Sequence, residues 1–84
     1  MATSYTGKIN THGEFIDLGE ETEITFTSGN TYSIQIVGMG YLKVQDAEFP
    51  IFTNDPFTYT ASSDTVYFKT EENRSCQVII LENA

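Results

Sequence analysis

The stretch Thr22-Glu23-Ile24-Thr25-Phe26-Thr27-Ser28-Gly29-Asn30-Thr31-Tyr32-Ser33-Ile34-Gln35-Ile36 alternates apolar and polar side chains on both sides of a Ser-Gly-Asn break. On the first arm Ile24 and Phe26 share one face and the threonines take the other. On the second arm Tyr32, Ile34 and Ile36 share a face. A period of two belongs to strands with one buried and one wet side. Two such arms around a short Gly-Asn turn predict a β-hairpin.

Working outward, Gly38-Met39-Gly40 interrupts the pattern, and Tyr41-Leu42-Lys43-Val44-Gln45 resumes it with Leu42 and Val44 inward. Asp46-Ala47 turns the chain into Glu48-Phe49-Pro50-Ile51-Phe52. Pro50 has no N–H to give a ladder, which puts this segment at a sheet edge or a bulge. Asn54-Asp55-Pro56 is a turn by composition, and Phe57-Thr58-Tyr59-Thr60 is a short alternating run closed by Ala61-Ser62-Ser63-Asp64. In Thr65-Val66-Tyr67-Phe68-Lys69 the inward residues are Val66 and Phe68. In the last segment they are Cys76, Val78 and Ile80. The polar Glu71-Glu72-Asn73-Arg74 between them predicts a second hairpin. Toward the N-terminus, Phe15-Ile16-Asp17-Leu18 and Lys8-Ile9 are shorter strand candidates separated by Thr11-His12-Gly13. No window combines helical spacing, caps and helix formers. The expectation is an all-β fold, a compact antiparallel β-sandwich or small jelly-roll-like barrel of about 7–9 short strands. Residues 1–84 are read as a single domain, with residues 1–12 a candidate extended arm.

Composition narrows the function classes. Twelve Asp and Glu against four Lys and Arg give a formal net charge of −8. Such a chain repels phosphate backbones, which argues against nucleic acid as a partner. It carries no polybasic segment for anionic membranes and no apolar run approaching the roughly 20 residues of a span. Cys76 is the only cysteine, so no intrachain disulfide is available to staple the domain. No signal-peptide pattern follows Met1, and folding in a cytoplasm is the expectation.

No residue set with the spacing of a catalytic, cofactor or metal site stands out, and the chain is expected not to be an enzyme. His12, the single histidine, sits in a loop without a marked partner. Cys76 falls on the inward phase of a strand, where a thiol packs as a small hydrophobe. The acidic run Glu14, Asp17, Glu20, Glu21 and Glu23 lacks the loop spacing and turn glycine of a calcium site. In this reading Glu21 and Glu23 share an outward strand face. Gly38-Met39-Gly40 has no lysine or helix after it to make a phosphate loop. Asn73-Arg74-Ser75 matches the glycosylation pattern without a secretion signal.

The candidate interface residues are instead apolar groups on outward phases: Tyr41, Tyr67, Phe52, Ile79 and Leu81, with Tyr5 as a further aromatic to place. Tyr41 and Tyr67 lie opposite the core series of their strands. Tyrosines so placed stack on sugars or anchor protein contacts. Ile79 and Leu81 lie on the other face of the last strand, to be covered from within or by another subunit.

Three segments, Gly29–Ile36, Thr65–Lys69 and Cys76–Leu81, set in a Thr-rich chain of short strands, resemble small β-structured proteins of tailed-phage virions, of the capsid-decoration and head-fibre kind. The resemblance spans residues 20–82 and transfers no functional residues. It implies a non-enzymatic virion component, assembled in the host cytoplasm, that self-associates, with a trimer favoured, or docks on a capsid-like assembly. A carbohydrate-binding module and an acidic mimic of DNA that blocks a nucleic-acid enzyme are the alternatives. The second rests on charge alone.

Overall fold

In the computed structural model, described for residues 4–62 and 65–83, the chain forms eight strands and one short helix. These are β1 (Ser4–Ile9), β2 (Ile16–Asp17), α1 (Leu18–Thr22), β3 (Thr31–Val37), β4 (Met39–Val44), β5 (Ala47–Phe52), β6 (Phe57–Thr60), β7 (Val66–Thr70) and β8 (Cys76–Asn83). They make two four-stranded antiparallel sheets, the first ordered β1-β8-β3-β6 and the second β2-β7-β4-β5.

The order has a simple origin. β4 and β5 form a tight hairpin through Gln45 and Asp46, both at positive φ (53° and 64°), the geometry of a type I′ turn. Outside that hairpin β3 pairs with β6, then β2 with β7, then β1 with β8. The chain is thus one long nested hairpin, folded over so that alternate layers fall in opposite sheets. That is the jelly-roll arrangement. The fold-over between β3 and β4 is at Gly38, whose φ of 123° is a glycine conformation. Thr53 stands opposite and locks the corner. Its hydroxyl accepts the Gly38 N–H at 2.6 Å and its backbone N–H donates to the Gly38 carbonyl at 3.1 Å. A side chain at position 38 would also press on the Cys76 sulfur, 3.2 Å from an added Cβ.

The two sheets enclose one core. Tyr32, Ile34, Ile36, Val78 and Ile80 face inward from the first sheet, and Leu42, Ile51, Val66 and Phe68 from the second. A reciprocal pair of threonines stitches the loop after β1 to β7. The Thr70 N–H donates to the Thr11 hydroxyl at 2.8 Å, and the Thr11 N–H donates to that of Thr70 at 3.0 Å. Both residues are buried, so each backbone donor is satisfied where water does not reach.

Three sequence expectations are corrected. Residues 22–27 are not a strand, and the first expected hairpin does not form. Ile24 is buried and Phe26 half-buried, as alternation requires, but the backbone is tied to a side chain rather than to a neighbouring strand. The buried Tyr32 hydroxyl accepts the Thr27 N–H at 2.7 Å and donates to the Thr25 carbonyl at 3.3 Å. Immediately before this segment stands a helix where none was expected. Asp17 caps α1 by accepting the Glu20 N–H at 3.1 Å, and Glu23 ends it in the left-handed region at φ 59°. Glu21 and Glu23 therefore share no strand face. A five-residue helix is too short to show a period in the sequence. Finally, β7 and β8 are not a hairpin. The polar link from Glu71 to Ser75 carries the chain from the second sheet to the first, where β8 gains two neighbours, β1 and β3. Of the candidate N-terminal arm, Ser4–Ile9 lies in the sheet as edge strand β1, and residues 1–3 fall outside the described residues.

Candidate functional site: the outer face of the second sheet

Side chains alternate across a strand, and opposed residues of an antiparallel pair share a face. The outward residues of the second sheet therefore fall in three rows. At one end Met39 stands beside Phe52. Pro50, Tyr41 and Lys69 make the middle row, and Glu48, Lys43, Tyr67 and Asp17 the third. Pro50 lies on edge strand β5, where its missing N–H costs no ladder bond.

Phe15, just before β2, leans over this face and organises it. The Lys69 ammonium lies 4.8 Å from the Phe15 ring centre and 4.9 Å from that of Tyr41. The Lys43 ammonium lies 5.7 Å from Phe15 and 5.9 Å from Tyr67. Each such contact is worth about 0.5–1 kcal/mol at a solvated site, and the set fixes the rings and the lysine stems relative to one another. Two of the four cationic side chains of a strongly acidic chain meet here. Neither has a carboxylate within 4.0 Å among the described residues.

The face has two ends of different character. Where β4 turns into β5, a cleft of about 360 Å³ is lined by Phe15, Lys43, Gln45, Asp46, Thr65 and Tyr67. At the opposite end the paired Met39 (36% exposed) and Phe52 (43%) leave apolar side chains in solvent.

Of the five expected interface residues, the structure brings three together, Tyr41, Tyr67 and Phe52. Ile79 and Leu81 are on the outer face of the first sheet, on the far side of the core. Leu81 is exposed and Ile79 half-buried, among Thr6, Ser33 and Gln35. Tyr5 is half-buried against the core rather than displayed. Sequence reasoning missed Lys43, Lys69 and Phe15. The lysines share the outward phase of Tyr41 and Tyr67, so extending the alternation to charged residues would have found them. Nothing in the sequence marks Phe15.

Elsewhere, His12 is exposed in a turn at φ 54°, its N–H bonded to the Asn10 side chain. The Cys76 thiol is buried and donates to the Met39 carbonyl at 3.0 Å. Burial pushes its pKa above the ordinary value, and the charge of Glu71 acts in the same direction. Among the described residues no three His, Cys, Asp or Glu side chains are grouped to hold a metal ion. No protein-family model, no curated protein and no solved structure matches the chain.

Proposed function

We propose that the chain is a non-enzymatic structural and interaction protein, a decoration- or fibre-type component of a phage virion. It associates with copies of itself, a trimer being favoured, or docks on a capsid-like lattice. The observation that carries this reading is the exposed Met39–Phe52 pair beside the aromatic rows of the second sheet. A chain of 84 residues has a small core to protect, and exposed Met and Phe side chains grouped at one end of a sheet mark an interaction site. The jelly-roll arrangement agrees by fold-level analogy, since viral capsid domains use it among other proteins.

Light scattering after size-exclusion chromatography tests the reading. The expected result is a closed oligomer that Met39→Ser with Phe52→Ser reduces to monomers while the circular dichroism spectrum is kept. A wild-type chain that stays monomeric through the micromolar range and does not sediment with the assembled particle would overturn it.

A further inference from the structure

We propose that the cleft at the β4–β5 end of the second sheet binds a neutral hexopyranose unit of a glycan. This rests on the outer face being a recognition surface, but not on the virion reading or on self-association. A sugar ring presents C–H faces and a rim of hydroxyls, so its site needs aromatic walls and polar groups that both donate and accept. The cleft supplies both. Phe15 and Tyr67 are its aromatic members, and Asp46, Gln45, Thr65 and Lys43 its hydrogen-bonding ones. Its volume of about 360 Å³ falls at the lower end of the range for small-molecule sites.

Charge selects among sugars. Among the described residues the cleft is lined by one ammonium, Lys43, and one carboxylate, Asp46. Glu48 stands opposite Lys43 on β5, and Asp17 opposite Tyr67 on β2, adding negative charge along the same row. The whole chain carries −8. An acidic or sulfated sugar meets repulsion on approach, whereas a neutral one desolvates no net charge. The site is also prearranged. Lys43 lies against both Phe15 and Tyr67, and the type I′ turn holds Gln45 and Asp46 at the rim. Little ordering is left for binding to require.

The test is titration of the ¹⁵N-labelled full chain, followed by amide shifts, with maltotriose, cellotriose, N-acetylchitotriose, lactose and a sulfated heparin tetrasaccharide. The expected result is saturable shifts from at least one neutral sugar, centred on Phe15, Gln45, Asp46, Thr65 and Tyr67, and none from the heparin fragment. Tyr67→Ala and Asp46→Asn are each expected to weaken that binding about tenfold or more, consistent with loss of an aromatic wall or a buried-on-binding hydrogen bond. Leu81→Ser, on the opposite sheet, is expected to leave it unchanged. No shift with any neutral sugar, preference for the sulfated one, or shifts that survive Tyr67→Ala would each overturn the proposal. An intact oligomer with a blank titration removes only the sugar site, and a sugar-binding monomer removes only the self-association.

Discussion

The two sheets contribute four strands each to one core, yet they turn different chemistry toward solvent. The first shows Thr6, Gln77, Ser33, Gln35, Thr58 and Thr60 around Val37, Ile79 and Leu81, mostly short polar side chains on pleated backbone. The second shows Tyr41, Tyr67, Phe15, Met39 and Phe52 with two lysines laid against the rings. Thr favours strands and stays wet, so most of the first face follows from β-structure alone. The second carries exposed apolar surface that an isolated fold does not need. The lesson is that function on a two-faced sheet is found by asking which outer face departs from what strand formation requires.

The contrast extends inward, and the largest expected effect tests it there. Gly40 on β4 packs its backbone under Phe68. An added Cβ would lie 2.7 Å from a Phe68 ring carbon and 3.0 Å from the Lys69 carbonyl, and Phe68 is fully buried. At Gly7 on β1 the atoms nearest an added Cβ are the hydroxyl and ring of the half-buried Tyr5, the far end of a flexible side chain that can shift. Gly40→Ala is therefore expected to cost about 2–3 kcal/mol in urea unfolding, and Gly7→Ala less than about 1 kcal/mol. Equal costs would show that the second sheet is no more tightly packed than the first.

On the outer faces the expected changes are smaller. Lys43→Gln with Lys69→Gln removes four ring contacts and is expected to destabilise by about 2 kcal/mol, less at high salt. Leu81→Ser on the first sheet should stay within about 0.5 kcal/mol. A double lysine variant as stable as the wild type would mean that the rings and lysines are not mutually held. The smallest effect concerns the thiol that joins the two layers, Cys76 on β8 donating to Met39 on β4. Its folded pKa is raised from the ordinary 9.0, so the neutral thiol is favoured by folding. That contribution is full below the unfolded value and is lost as the pH rises through the folded one. Cys76→Ser is expected to flatten the stability loss in the alkaline range above pH 9.0, measured against wild type by denaturant titration at stepped pH.

How much of this was legible in the sequence divides by mechanism. Alternation reported faces well. Tyr32, Ile34, Ile36, Leu42, Val66, Phe68, Cys76, Val78 and Ile80 are all buried as the period of two required, and Pro50 lies on an edge strand. Alternation says nothing about partners, because every inward series matches every other. Sequence proximity alone therefore suggests pairing across Ser28-Gly29-Asn30 and across Glu71–Arg74. The partners of β7 are β2 and β4, and those of β8 are β1 and β3. The tight β4–β5 hairpin carries Gln45-Asp46 in place of a Gly-containing pair and so gives a weaker turn signal than Ser28-Gly29-Asn30. At the site, Tyr41, Tyr67 and Phe52 were legible as outward phases. The gathering role of Phe15 depends on contacts among three separate segments.

The nesting of the strands also governs how the chain reaches this state. Ser4 sits opposite Leu81, Ile16 opposite Phe68 and Thr31 opposite Thr60, while only Val44 and Ala47 are near neighbours in sequence. Each outer pair closes a loop that the pair inside it has already shortened, so the conformational search proceeds as a zipper from Gln45-Asp46 outward. Topologies of such distant contacts fold in milliseconds to seconds rather than microseconds. The rate-determining step is then expected to depend on the innermost turn. Gln45→Asn with Asp46→Gly, which suits the type I′ geometry, should speed refolding in stopped flow and leave unfolding nearly unchanged. An edit confined to β1 should do the reverse.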